Sequence, residues 1–155
     1  MLKMSAFNNV VSEIKSLKEK DNEFAGNAVA IQANVTNSDD ADKLINKSKD
    51  RFGNIDILVN NAMVGRYFLK IFLDLKWDDF SEIFYNEMKA VYEVTRATLP
   101  AMIKNYYGRI IYIATGSAKY PYPQGAIAFG SAKAALVAFA KHIAQEYGSM
   151  GITSI

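Results

Sequence analysis

The chain has 155 residues, half of them hydrophobic, with 18 Lys and Arg against 16 Asp and Glu and a formal net charge of +2. That length and composition predict one globular domain spanning 1–155 and exclude a disordered chain. Acidic and basic residues are mixed along the whole sequence, which argues against a nucleic-acid-binding stripe or a polybasic membrane patch. The absence of cysteine excludes disulfides and thiolate metal sites, and the single histidine, His142, cannot build a metal centre alone. The longest uninterrupted apolar stretches are of strand length, well below the ~20 residues of a membrane helix. The first ten residues contain Lys3, Asn8 and Asn9 and lack the apolar core of a signal peptide. A cytoplasmic protein with no membrane partner is expected.

In chain order, Phe7, Val10, Val11, Ile14 and Leu17 recur at helical spacing, with charged residues between them, and predict an amphipathic helix to about Lys20. Residues 27–35 read as a strand of small and branched side chains. Thr36, Asn37 and Ser38 then offer helix caps, and Asp39 and Asp40 complement the dipole of a helix over 38–52. Ala41, Leu44, Ile45, Ser48 and Phe52 line one face of it, and Gly53 ends it. The run Ile55–Val59 is nearly all apolar, which suits a parallel strand buried on both faces. A long helix follows over about 76–104, with Phe80, Ile83, Phe84, Val91, Val94, Thr98 and Met102 placed for burial and Pro100 kinking or ending it. Gly108 and Arg109 lead into a strand at 110–113. A loop with Pro121, Pro123 and Gly125 precedes a helix over about 128–147, carrying Leu136, Phe139, Ile143 and Tyr147 at helical spacing. Residues 152–155 begin one more strand. Strands alternating with long helices predict right-handed crossovers and a parallel sheet, hence the α/β class.

Four stretches, in order, give this pattern a more specific meaning. They are Asn34-Val35-Thr36; the run from Phe52 to Val59 closing with Asn60-Asn61-Ala62; Trp77-Asp78-Asp79; and Gly108-Arg109-Ile110-Ile111 followed by Ser131-Ala132-Lys133-Ala134-Ala135-Leu136. Gly151-Ile152-Thr153 adds a fifth. From about residue 26 onward the chain resembles the short-chain dehydrogenase/reductase family, nearest to its ketoacyl-acyl-carrier-protein reductase branch. The resemblance implies a Rossmann-like parallel sheet with flanking helices, and NAD or NADP as cofactor in the crevice at the carboxyl ends of the strands. It assigns Asn34, Val35, Asn60, Ala62 and Lys133 to the cofactor. It assigns Thr115, position 129, Lys133 and position 87 to catalysis. The plainer reading of Asn60-Asn61 is a pair of turn-forming side chains. That of Lys133 is a solvated lysine on an exposed helix face.

Departures from the family pattern matter as much. The sequence holds no Gly-x-x-x-Gly-x-Gly turn after a strand, so the family's first strand-loop-helix-strand, which grips the cofactor diphosphate, has no counterpart. The family's catalytic tyrosine, four residues before the lysine, is Phe129, which keeps the ring and loses the proton. Tyr120 and Tyr122 in the preceding loop are the available substitutes. The family's serine aligns with Thr115, with Ser117 the runner-up. The asparagine of the long helix aligns with Glu87, Asn86 lying about 100° away around the helix. Met63 stands where the family has glycine. With the first two strands absent, 27–35 is expected to pair directly with 55–59. The resemblance further implies a homo-oligomer through the helices at about 76–104 and 128–147. It leaves two readings: an NAD(P)-dependent oxidoreductase with little activity in this chain, or a non-catalytic relative acting through subunit association.

Overall fold

A computed structural model of the chain describes residues 8–14, 16, 26–63, 69–121 and 123–155. The chain divides into two compact units, residues 1–33 and 34–155. In the first, residues 8–14 are helical, and the Ser12 hydroxyl donates to the carbonyl of Asn8, one turn back, at 2.9 Å. Val11 and Ile14 are half-buried and Val10 is exposed, while Phe7 and Leu17 lie outside the described residues. The strand expected at 27–35 is not formed: 26–34 carry neither helix nor strand, and 35 begins a turn. Ala28, Ala30 and Ala33 offer little side chain to pack, and alanine is a poor strand former. The expected pairing with 55–59 is likewise absent. Among the described residues, the strand there has a neighbour on one side only.

The second unit runs in the order α1 (Ser38–Phe52), β1 (Ile57–Asn60), α2 (Trp77–Lys104), β2 (Gly108–Tyr112), α3 (Ile127–Tyr147) and β3 (Ile152–Ser154). Short 3-10 turns at Phe72–Asp74, Gly116–Ala118 and Gly148–Met150 lie between them. The sheet is β1-β2-β3, parallel throughout, with Ile57 beside Arg109, Val59 beside Ile111, and Arg109 beside Thr153. This is the α/β architecture expected from alternating strands and helices.

Local chemistry accounts for the boundaries. The Asn37 side chain caps α1, accepting from the Asp40 N–H at 3.0 Å. Gly53 closes that helix with φ +82° and ψ −134°, a positive-φ conformation outside the left-handed helical well and open mainly to glycine. Pro100 neither ends α2 nor shortens it: the helix continues four residues to Lys104, giving up only the hydrogen bond that proline cannot donate. Gly151 has φ +78° and lies so close to the Tyr106 carbonyl that a Cβ there would collide with it, so the turn into β3 requires glycine.

Residues facing each other across a parallel ladder share a side of the sheet, so the register sorts the strands into two faces. Leu58, Ile110, Tyr112, Ile152 and Ser154 lie on one. They pack against Val91, Leu99 and Met102 of α2 and Leu136, Ala140 and Ile143 of α3, while Ala41 and Ile45 of α1 reach Leu58 and Val94. The Ser154 hydroxyl donates to the Ala140 carbonyl at 2.8 Å. Tyr112 and Thr95 share a buried hydroxyl–hydroxyl bond of 3.0 Å. The other face is exposed: Ile57 by 58 %, Val59 by 52 %, Ile113 by 42 % and Ile155 by 76 %. The expectation that the Ile55–Val59 run is buried on both faces is therefore corrected. Its apolar composition serves one covered face and leaves the other in solvent.

Contrary to the sequence reading, one helix is long and apolar enough to cross a membrane, Ile127–Met150 with mean hydropathy 1.3. Packing accounts for part of that composition, since Ala132, Leu136, Ala140 and Ile143 are buried in the core with α2 and the sheet, whereas Ile127 and Val137 are exposed and 39 % of the segment is buried.

Candidate active site

The residues singled out on α3 are brought to its first two turns. Gly130 lets that end of the helix approach the 116–118 turn: a Cβ there would stand 3.0 Å from the Ser117 carbonyl oxygen. Phe129 and Lys133 are four residues apart and share one side of the helix. Lys133 is not a solvated lysine. Only 7 % of it is exposed, and its ammonium forms an ion pair of 2.8 Å with Glu87 of α2, itself 4 % exposed. A second N–H donates to the Ile113 carbonyl, just past β2, at 3.2 Å. The ammonium also lies 5.4 Å from the centre of the Phe129 ring, within range of an attraction to its π face. Desolvation offsets much of what such a buried pair gains, so its worth is in fixing geometry; removal of one partner would strand the other charge.

Thr115 follows two residues after Ile113, half-buried and extended at φ −140° and ψ 160°, and its carbonyl accepts from the Ala118 N–H at 3.0 Å. Ser117 lines a different cavity of about 470 Å³ with Gly130, Ser131 and Ala134, whose lining includes neither Phe129 nor Lys133. Tyr120 is 60 % exposed and stacks under the Lys119 ammonium at 5.1 Å, and Tyr122 lies outside the described residues. Among the described residues, position 129 therefore has no phenol brought in to replace the one it lacks.

A second cluster forms where β1 ends. Val35, Asn60, Asn61 and Ala62 line a cavity of about 150 Å³ together with Leu44 and Val91. The Asn60 side-chain amide nitrogen is buried and, among the described residues, has no hydrogen-bond partner. The backbone carbonyl of Asn60 is used, accepting from the Ile113 N–H at 2.9 Å. An unmet buried donor costs about 1–3 kcal/mol, so this amide is poised for an acceptor that enters the cavity. Asn34 behaves differently. Its side-chain oxygen accepts from the Thr36 N–H at 3.1 Å and from the Thr36 hydroxyl at 2.8 Å, while its own N–H donates to Asp40. It builds the turn that opens α1 and does not line that cavity. Among the described residues, no group of three or more potential metal ligands is assembled.

Sequence reasoning named Glu87 as a replacement and did not anticipate it as the partner of Lys133, although an acid and a base at burial-prone helix positions were the available signal. It could not find the Ile113 carbonyl, because any residue supplies one.

The family profile described as short chain dehydrogenase matches residues 2–155, further toward the N-terminus than the motifs alone reach. Among curated proteins, the 3-oxoacyl-[acyl-carrier-protein] reductase of Synechocystis sp. is 38 % identical over 128 residues, 83 % of this chain and 51 % of that protein. The Escherichia coli 3-oxoacyl-[acyl-carrier-protein] reductase FabG is 34 % identical over 131 residues, 84 % of this chain and 52 % of that one. The chain thus spans about half the length of the curated relatives it matches. Among solved structures, NAD+-bound xylitol dehydrogenase superposes with a TM-score of 0.80 at 24 % identity, covering 95 % of this chain and 55 % of that one. A short-chain dehydrogenase from Streptomyces avermitilis gives a TM-score of 0.71 at 24 % identity, covering 92 % of this chain and 50 % of that one. With the motifs in order and the sheet parallel, the profile match settles the family: the chain belongs to the short-chain dehydrogenases.

Proposed function

We propose that the chain is an NAD(P)-dependent oxidoreductase domain of the carbonyl–alcohol type, related in substrate class to the ketoacyl-acyl-carrier-protein reductases, with turnover held low by Phe129. The observation that carries this reading is Lys133. It is buried at the carboxyl end of β2 and tied to Glu87 and Ile113, one helical turn from position 129. The alternative of a non-catalytic module has no comparable feature in its favour.

The orphaned Asn60 amide and its cavity of about 150 Å³ would take one part of a nucleotide, a base or a sugar, whose acceptors would satisfy the buried donor, with Val35 and Ala62 as apolar walls. A bound nicotinamide nucleotide supplies a hydride. The chain's own residues would do the rest. Lys133, with two N–H groups held by Glu87 and Ile113, would present its third to a sugar hydroxyl. The Thr115 hydroxyl would hold the substrate oxygen. Phe129 delivers no proton, and losing a general acid typically costs ~10²–10⁴ in rate.

Titration of the purified chain with NADPH and NADH, followed by nicotinamide fluorescence and thermal stability, tests the reading. Saturable binding supports it. No binding at millimolar nucleotide overturns it. Self-association belongs to the same proposal. Trp77, Phe80, Phe84, Tyr85 and Met88 of α2, with Phe139 of α3, line an apolar groove of about 500 Å³, which would pack against a second copy. Tyr85→Glu should then yield monomers by sedimentation where the parent is oligomeric. The cytoplasm is the compartment where such a nucleotide-dependent domain would work.

A further inference from the structure

Charge placement at positions 87, 129 and 133 carries a consequence beyond the lost phenol. Lys133 has three N–H donors. One is taken by the Glu87 carboxylate at 2.8 Å and one by the Ile113 carbonyl at 3.2 Å, and the ammonium stands 5.4 Å from the Phe129 ring. Both ionic partners are buried, so water screens the pair little and the carboxylate cancels most of the ammonium's field nearby. A hydroxyl attached to the ring at 129 would face a dipole instead of a free positive charge.

We propose that Glu87 is a positioning residue that clamps Lys133 as a neutralised pair, so that restoring a hydroxyl at position 129 alone leaves that hydroxyl an ordinary phenol. Lys133 becomes an effective electrostatic partner of position 129 only when Glu87 loses its charge. This deepens the oxidoreductase reading and rests on it for its meaning: two coupled changes, on α2 and on α3, separate the chain from an acid-competent site. Among the described residues, the charged groups shown near position 129 are Lys133 from its own helix and, behind it, Glu87 from α2. From the neighbouring turn, Lys119 is directed onto the ring of Tyr120 and Thr115 is uncharged.

The test needs no nucleotide, so its outcome and that of nucleotide titration are independent. Phe129→Tyr adds one tyrosine to the nine present, and carbon-13 labelling at the tyrosine ring carbon bearing oxygen lets its ionisation be followed by NMR. In F129Y alone, the new phenol should titrate near the ordinary value of about 10. In F129Y/E87Q, its midpoint should fall by about one pH unit or more, because an unneutralised ammonium favours the phenolate. Adding K133M should return it. Equal midpoints in F129Y and F129Y/E87Q, or a lowered midpoint in F129Y alone, overturn the proposal. Should E87Q fail to fold, the unmodified chain decides. Nitrogen-15 NMR should show a slowly exchanging Lys133 ammonium, identified by its loss in K133R, and rapid solvent exchange there overturns the clamp.

Discussion

The two faces of the sheet are built from alternate residues of the same three strands and meet opposite fates. Ile110, Tyr112 and Ile152 disappear under α2 and α3, whereas Ile57, Val59, Ile113 and Ile155 remain in contact with water. Composition does not separate the sets, since isoleucine is on both. What separates them is the direction from which the helices approach. The covered face is where the chain is held together, and the buried Glu87–Lys133 pair lies between the helices on that side. The exposed face contributes apolar surface without a matching gain in stability.

That contrast can be broken at graded depths. The largest effect is expected from Glu87→Ala, which strands the Lys133 ammonium between α2 and α3 and should cost about 3–5 kcal/mol in urea unfolding. Met102→Ala, which empties a fully buried position beneath Gly108, should cost about 2–5 kcal/mol by the same measurement. Tyr112→Phe should cost about 1 kcal/mol through the lost bond to Thr95, and it should also change the alkaline limit. Burial holds the Tyr112 phenol above its ordinary value of 10.0, with hydrogen bonds to Thr95 and Ser154 pulling the other way. The unfolded phenol therefore ionises first. The contribution of Tyr112 to stability is whole below about pH 10 and is lost as pH climbs through the folded value. Melting temperature measured from pH 9 upward should decline less steeply in Tyr112→Phe than in the parent. Smallest of all, Val59→Thr on the exposed face should move stability by less than about 0.5 kcal/mol while raising the concentration at which the chain precipitates. A loss of 2 kcal/mol or more there would mean that this face is covered after all.

Much of the architecture was legible in the residues. Asn37 and Gly53 bracket α1 as their capping chemistry predicts, and the 3.6-residue spacing of Ile83, Val91, Val94, Thr98 and Met102 marked the buried side of α2. What periodicity could not convey was partnership. Residues 27–35 alternate well enough for a strand, yet strand formation depends on a neighbour that no local pattern supplies. Ile55–Val59 looked doubly buried because apolar side chains read the same whether or not a helix arrives. At the site, Lys133, Phe129 and Glu87 were each visible, and their mutual arrangement was not. An ion pair between helices more than forty positions apart in the chain depends on tertiary packing. Asn34 was drawn toward the cofactor by its motif, although Asn-x-Thr is also the chemistry of a side-chain-stabilised turn, which is the use the structure makes of it.

The all-parallel sheet has one further consequence, for the speed of folding. Ile57 meets Arg109 only after about fifty intervening residues, including all of α2, have been arranged. Such distant pairing pays its loop-closure entropy before any ladder bond forms, so the strands remain unpaired and sticky for longer than in a hairpin-built protein. Soluble yield should therefore respond more strongly to the rate of synthesis and to temperature than native-state stability alone would require.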